Sequence, residues 1–209
     1  MKPRYHPDDS TLVSYAAGSL PESQSLVVAC HVRLCPECQG QIAEAETLGG
    51  TLLSNLKPLA TSPEKRARFL SRFGQAQGNS QPRSSSALAM DKIFSPDYLS
   101  TFNWVHVAPG VKQIILPSQA PHRLRLLRIS PGRSMPLHSH RGSELTLVLQ
   151  GAYSDETGQY KKGDVSDHDT DITHQPIAGK ESCICLVATD APLKFTGWLP
   201  RILQPFFRF

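Results

Sequence analysis

Residues 75–89 read Gln-Ala-Gln-Gly-Asn-Ser-Gln-Pro-Arg-Ser-Ser-Ser-Ala-Leu-Ala, a run of small and polar side chains with no aromatic residue and no apolar period. Such a stretch has nothing to pack with and reads as a flexible linker, which divides the chain into two units. Upstream, apolar residues recur at helical spacing. Asp8 or Ser10 can cap a short helix through Ala17, stopped by Gly18 and Pro21. Glu22 or Ser23 then opens a second helix carrying Leu26, Val27, Cys30, His31 and Leu34. A third is expected over about residues 36–56, with Ile42, Ala45, Leu48, Leu52, Leu53 and Leu56 as its apolar positions and a bend or split at Gly49-Gly50. Ser62 with Pro63 is a cap followed by a favoured first position, and it starts a basic fourth helix with Leu70 and Phe73 on one side.

Downstream the signal changes to short β-rich pieces, expected over residues 104–107, 113–116, 123–129, 144–149 and 182–188. Breaks fall at Pro109-Gly110, Pro131-Gly132, Gly158 and Gly163. Many short strands and few helices indicate an all-β sandwich or barrel. The expected fold class is therefore α plus all-β in two domains: a small four-helix unit over 1–75, a linker over 76–89 and a β domain over 90–209. The aromatic and basic tail, 199–209, either packs back on the barrel or contacts a partner.

Charge and apolar patterning exclude some classes. Twenty-two basic and 18 acidic side chains give a net charge of +4, too mild to argue for direct nucleic-acid binding. No apolar run approaches the roughly 18 residues of a membrane span, and the polar start lacks the apolar core of a secretory signal. A cytoplasmic protein with no membrane partner is expected. In that reducing setting, five cysteines with close spacings point to metal ligands or redox groups before structural disulfides.

His31, Cys35 and Cys38 form His-x3-Cys-x2-Cys. Residues four apart share a helix face, and the Cys-Pro-Glu-Cys turn brings Cys38 round to the same point. Two thiolates and an imidazole suit tetrahedral Zn²⁺, which takes a fourth sulfur or nitrogen ligand in a structural site. His6, just before the first helix, is the best-placed candidate. Cys30 projects about 100° away from its neighbour His31 and reads as a core residue.

The β half carries Gly132-x5-His138-x-His140-x3-Glu144-x6-Gly151. His138, His140 and Glu144 share one strand parity, so all three can converge inside a barrel. Imidazole and carboxylate ligands suit Zn²⁺, Mn²⁺ or Fe²⁺. His174, in Gly163-x5-Asp169-x-Asp171-x2-His174, is the later histidine that would complete the set. Asp164, Asp167, Asp169 and Asp171 lack the glycine and terminal glutamate of a calcium loop and read as a solvated acidic loop. His106, His122 and His168 read as surface or core residues. Cys183 and Cys185, two apart on a strand, read as buried small hydrophobes, with a redox pair as the alternative.

On these residues the N-terminal unit resembles the zinc-binding anti-sigma factors that hold extracytoplasmic-function sigma factors inactive. The resemblance implies that His6, His31, Cys35 and Cys38 bind zinc. It also implies that the helices grip the two DNA-binding domains of the sigma factor, with the fourth helix near Glu64 to Phe73 on the binding surface. The motifs of the β half resemble those of cupins, double-stranded β-helix barrels whose metal is held by three histidines and a glutamate, here His138, His140, Glu144 and His174. The second motif departs from the pattern at Asp169 and Asp171, where cupins show proline and glycine, and no asparagine follows His174. Those departures bear on the turn before His174 more than on the ligand.

The combination resembles the ChrR type of anti-sigma factor. It implies a non-enzymatic regulator with zinc in both domains. The helical domain would inhibit a sigma factor, and the cupin would serve the response to singlet oxygen and related oxidants. The competing expectation is a dioxygenase-like cupin enzyme with a helical regulatory or dimerisation module.

Overall fold

In the computed structural model, residues 2–77, 92, 95–170, 172–192 and 194–195 are described. The helices are α1 (Asp9–Ala16), α2 (Glu22–Val32), α3 (Pro36–Ser54), α4 (Pro63–Gln77) and a short α5 (Pro96–Ser100). Cys35 is the extended residue before α3 and Pro36 its first helical position, where a missing N–H costs nothing. At α4 the Ser62 hydroxyl accepts from the Lys65 N–H at 3.3 Å, as an N-cap should. Gly49-Gly50 does not split α3, which runs unbroken to Ser54. The fourth helix extends to Gln77, past the expected start of the linker. The rest of that linker, the tail 199–209 and Asp171 lie outside the described residues.

The strands are β1 (Val105–Ala108), β2 (Val111–Leu116), β3 (Arg123–Ile129), β4 (His138–Ser139), β5 (Glu144–Gln150), β6 (Ala152–Ser154), β7 (Gln159–Lys161), β8 (Val165–His168), β9 (Thr173–His174), β10 (Ile177–Ala178), β11 (Cys183–Thr189) and β12 (Lys194–Phe195). They form a six-stranded sheet in the order β1-β2-β3-β11-β5-β8 and two three-stranded sheets, β10-β6-β7 and β12-β4-β9. All the pairings are antiparallel.

The central strands β5 and β11 are buried almost throughout because both faces are covered. With side chains alternating across the sheet, Leu145, Leu147 and Leu149 of β5 and Ile184, Leu186 and Ala188 of β11 face outward. There they share one core with Leu12 of α1, Val27, Val28 and Cys30 of α2, Ile42 of α3 and Leu99 of α5. The opposite parity, Val148, Cys183, Cys185 and Val187, joins Leu127, Ile129, Met135, Tyr153 and Tyr160 in the barrel interior. Helix α2 therefore sits on the outer face of the large sheet, with α1 and α3 packed against it, while the described side chains of α4 are exposed.

Of the loop expected to be solvated, Asp169 is exposed, but Asp164 and Asp167 are held by the protein. Asp164 is buried, and its carboxylate accepts the Arg4 N–H at 2.6 Å, the Tyr5 N–H at 3.3 Å and the Lys161 N–H at 2.8 Å. Asp167 accepts from the Asp8 N–H at 3.0 Å and the Thr11 hydroxyl at 2.8 Å. Unpaired carboxylates are costly to bury, and these are satisfied largely by main-chain N–H groups and the Thr11 hydroxyl of the N-terminal segment, which they tie to the barrel.

Candidate metal centres

The N-terminal arm, the end of α2 and the start of α3 bring His6, His31, Cys35 and Cys38 together, with one donor atom of each within 4.8 Å of all the others. His31 Nε2 lies 3.3 Å from Cys38 Sγ, and His6 Nδ1 lies 3.3 Å from Cys35 Sγ and 3.4 Å from Cys38 Sγ. A tetrahedral zinc with ordinary bond lengths would set nitrogen and sulfur about 3.5 Å apart, so the donor set fits such an ion. His31 is fully buried, and its Nδ1 donates to the carbonyl of Gly163 at 2.8 Å, which fixes the tautomer and leaves the Nε2 lone pair facing the thiols. Burial pushes the Cys38 thiol up to about 12, with Cys35 adding to the effect. A cation must therefore displace a firmly held proton. Cys30 lies apart from the cluster, buried in the core, its thiol raised to about 11 by burial.

The second cluster lies inside the barrel. His138 on β4 pairs with His174 on β9, and Glu144 opens β5. His174 Nε2 is 3.1 Å from both His140 Nε2 and His138 Nε2, and 3.8 Å from Glu144 Oε1. The two nitrogen–nitrogen separations match the roughly 3.0–3.4 Å edges of a four- or six-coordinate ion, and the carboxylate oxygen lies a little farther out. All four residues are buried. The other ring nitrogen of each of two histidines is engaged: His138 Nδ1 donates to the Pro136 carbonyl at 2.8 Å, and His174 Nδ1 donates to Asp155 at 2.9 Å. Burial pushes His138 down to about 4. Burial alone would raise Glu144, but the surrounding imidazoles outweigh it and hold its carboxyl below the usual value.

Two further residues of this centre carry no signal in the sequence pattern. Asp155 also accepts from Thr157 through its hydroxyl and its N–H, a pattern that in sequence looks like an ordinary Asx turn. Against the opposing effect of burial, those donors and His174 hold Asp155 at about 2. His168, expected at the surface or in the core, is buried opposite Glu144 in the β5–β8 register, with its ring centroid 4.6 Å from that of His174. His106 is exposed. Cys183 and Cys185 are both buried free thiols with Sγ atoms 3.6 Å apart.

A cavity of about 30 Å³ adjoins the barrel cluster, walled by Met135, Thr146, Tyr153, Cys185 and Val187 beside His138, Glu144 and His174. It has room for one or two water-sized molecules. A much larger groove, about 760 Å³, lies outside, between α1 and α3. Among the described residues no helix is long and apolar enough to cross a membrane.

Residues 98–192 match the family described as the ChrR cupin-like domain. The chain is 40% identical over 216 aligned positions to the anti-sigma-E factor ChrR of Cereibacter sphaeroides, covering 98% of each chain. It is also similar to a solved structure described as Rhodobacter sphaeroides SigE in complex with the anti-sigma ChrR, with a TM-score of 0.76 and 39% identity over 91% of this chain and all of that one. An identity of that size along the whole length, on the same arrangement of helices and barrel, places the chain in the ChrR family of anti-sigma factors.

Proposed function

We propose that the chain sequesters an extracytoplasmic-function sigma factor through its helical half, in the cytoplasm, and releases it in response to oxidants of the singlet-oxygen type sensed through the barrel. In this reading zinc is held by His6, His31, Cys35 and Cys38. His138, His140, Glu144 and His174 hold a second ion, zinc or else manganese or iron. The observation that carries the sigma-binding half is the groove between α1 and α3. Its floor is Leu12, Val13, Ala16, Leu48 and Leu52, and its rim includes Asp9, Glu44 and Glu46. Val13, Leu48 and Leu52 are 56, 62 and 63% exposed, an apolar surface of the kind that marks a protein partner. The acidic rim complements the basic surface of a DNA-binding domain. Phe69 and Leu70 of α4 are exposed as well.

The narrow barrel cavity supports a sensor over an enzyme with an organic substrate, since about 30 Å³ admits small oxidants but no carbon skeleton. Run-off transcription tests the main reading. Full-length chain loaded with zinc is added to polymerase carrying an extracytoplasmic-function sigma factor of the same organism. Half-inhibition near one equivalent is expected, and full transcription at a large excess would overturn the reading. Leu48→Glu with Leu52→Glu should raise the required concentration by about 10-fold or more while leaving helicity unchanged. His138→Ala with His140→Ala should retain inhibition but lose oxidant-induced release.

A further inference from the structure

The donors of the N-terminal cluster come from the helical half, but the groups that aim two of them come from the barrel. Gly163 and Asp164 form the turn between β7 and β8. The Gly163 carbonyl accepts the Nδ1 proton of His31 at 2.8 Å, which turns Nε2 toward Cys38. The turn is seated closely: a Cβ on Gly163, whose φ is +93°, would lie 3.3 Å from Pro3 Cγ and 3.5 Å from Leu34 Cδ1. Asp164 Oδ1 accepts both the Arg4 and Tyr5 N–H groups, and the Val165 N–H donates to the Tyr5 carbonyl at 3.1 Å. The backbone immediately before His6 is thus clamped on both sides. The Tyr5 ring packs against Tyr160 with centroids 4.6 Å apart and planes tilted by 45°, and its hydroxyl would lie 2.8 Å from a Cβ on Gly158. His6 has little freedom left except to present Nδ1 to Cys35 and Cys38.

We propose that Gly163 and Asp164 are positioning residues of the N-terminal metal centre, so that the centre is a joint product of helices and barrel and holds its ion tightly only while the β7–β8 turn is docked. The proposal rests on the reading that His6, His31, Cys35 and Cys38 bind a metal. It supplies what that reading lacks, a physical route by which an event in the barrel reaches the helical half. Groups that orient metal ligands typically change affinity 10- to 100-fold when removed.

Cobalt substitution in the full-length chain tests the proposal, because a thiolate-to-cobalt charge-transfer band reports the cysteine-containing centre and is silent for the barrel centre. Asp164→Ala is expected to weaken cobalt binding in that band by about 10- to 100-fold and to speed ion loss to a chelator, with the barrel centre still filled. Asp164→Asn keeps one oxygen for the Arg4 and Tyr5 amides and should fall between the two. It also keeps the test alive where Asp164→Ala fails to fold. The exposed-site variant Glu181→Ala should match the unaltered chain. Equal affinities and off-rates in the unaltered, Asn and Ala chains would overturn the proposal while leaving the metal reading standing. Absence of the band from the unaltered chain would overturn both.

Discussion

His174 gives its Nδ1 proton to the Asp155 carboxylate across 2.9 Å, while its Nε2 lies 3.1 Å from the Nε2 atoms of both His138 and His140. One imidazole thus joins the cluster to a buried carboxylate that fixes its tautomer and angle. Asp155→Asn, which offers a weaker acceptor or the wrong hydrogen-bonding group, should lower the barrel's metal affinity by about 10- to 100-fold. Metal analysis after dialysis against a weak chelator should show the loss of one ion and retention of the other.

Acid should destabilise the metal-free protein in a window set in part by His138, which burial holds at about 4 against an ordinary 6.5. Between those values the unfolded chain takes up a proton that the folded chain refuses, so stability falls as pH falls from about 6.5 to about 4. A shift of that size is worth up to about 3 kcal/mol. His174 runs the other way: burial opposes its charge, but the Asp155 carboxylate raises it, so it offsets part of the slope. Urea unfolding at stepped pH should show the loss, and His138→Gln should flatten it.

Helices and barrel should melt together. Leu186 on β11 is fully buried in the core that also contains Val27 and Val28 of α2. Leu186→Ala should cost about 2–5 kcal/mol. The same cost should appear in far-UV dichroism, which follows the helices, and in Trp104 fluorescence measured in a Trp198→Phe background, which follows the region before β1. Two separated transitions would show that the shared core does not couple the halves.

Replacing Cys35 and Cys38 with serine should remove one metal equivalent, whereas Cys30→Ala should leave metal content unchanged and act only on stability. Cys30 is in the apolar core and outside the donor cluster. Helicity should fall only in part for the double variant, because Val27 and Val28 keep α2 seated on the sheet without an ion. Metal analysis and far-UV dichroism check both variants.

What could be read from the sequence was whatever depends on local spacing. His31, Cys35 and Cys38 lie within eight positions of one another, and His138, His140 and Glu144 within seven, so proximity in sequence already keeps each set together, but not on one face as expected: Cys35 is the extended residue between α2 and α3, and His138 and Glu144 lie on separate strands, β4 and β5. The apolar stretch in β5 was legible as a strand, but its outer face gave no sign that α2 would cover it. Asp164 looked like one of four loop carboxylates, because its partners, the Arg4 and Tyr5 amides, carry no side-chain signature and lie 160 and 159 residues away. Asp155 was hidden by its own turn chemistry, since an Asp two residues before a Thr needs no metal centre to explain it. His168 was equally illegible, because its environment is set by cross-strand register with Glu144, which no short window contains.

The covering of α2 by the large sheet bears on how the molecule can be taken apart. Val27 and Val28 are both 0% exposed, against a wall built from Leu124, Leu126, Leu147 and Leu186. Cutting the chain anywhere in 78–89 and separating the pieces would strip that wall away, leaving a bare apolar stripe on one side of the helices and an equally bare sheet on the other. Either piece expressed alone should self-associate or seek a substitute cover. An inhibitor of polymerase made by truncation would therefore need compensating polar residues along α2, and proteolysis in that segment would be expected to yield a nicked but still assembled protein.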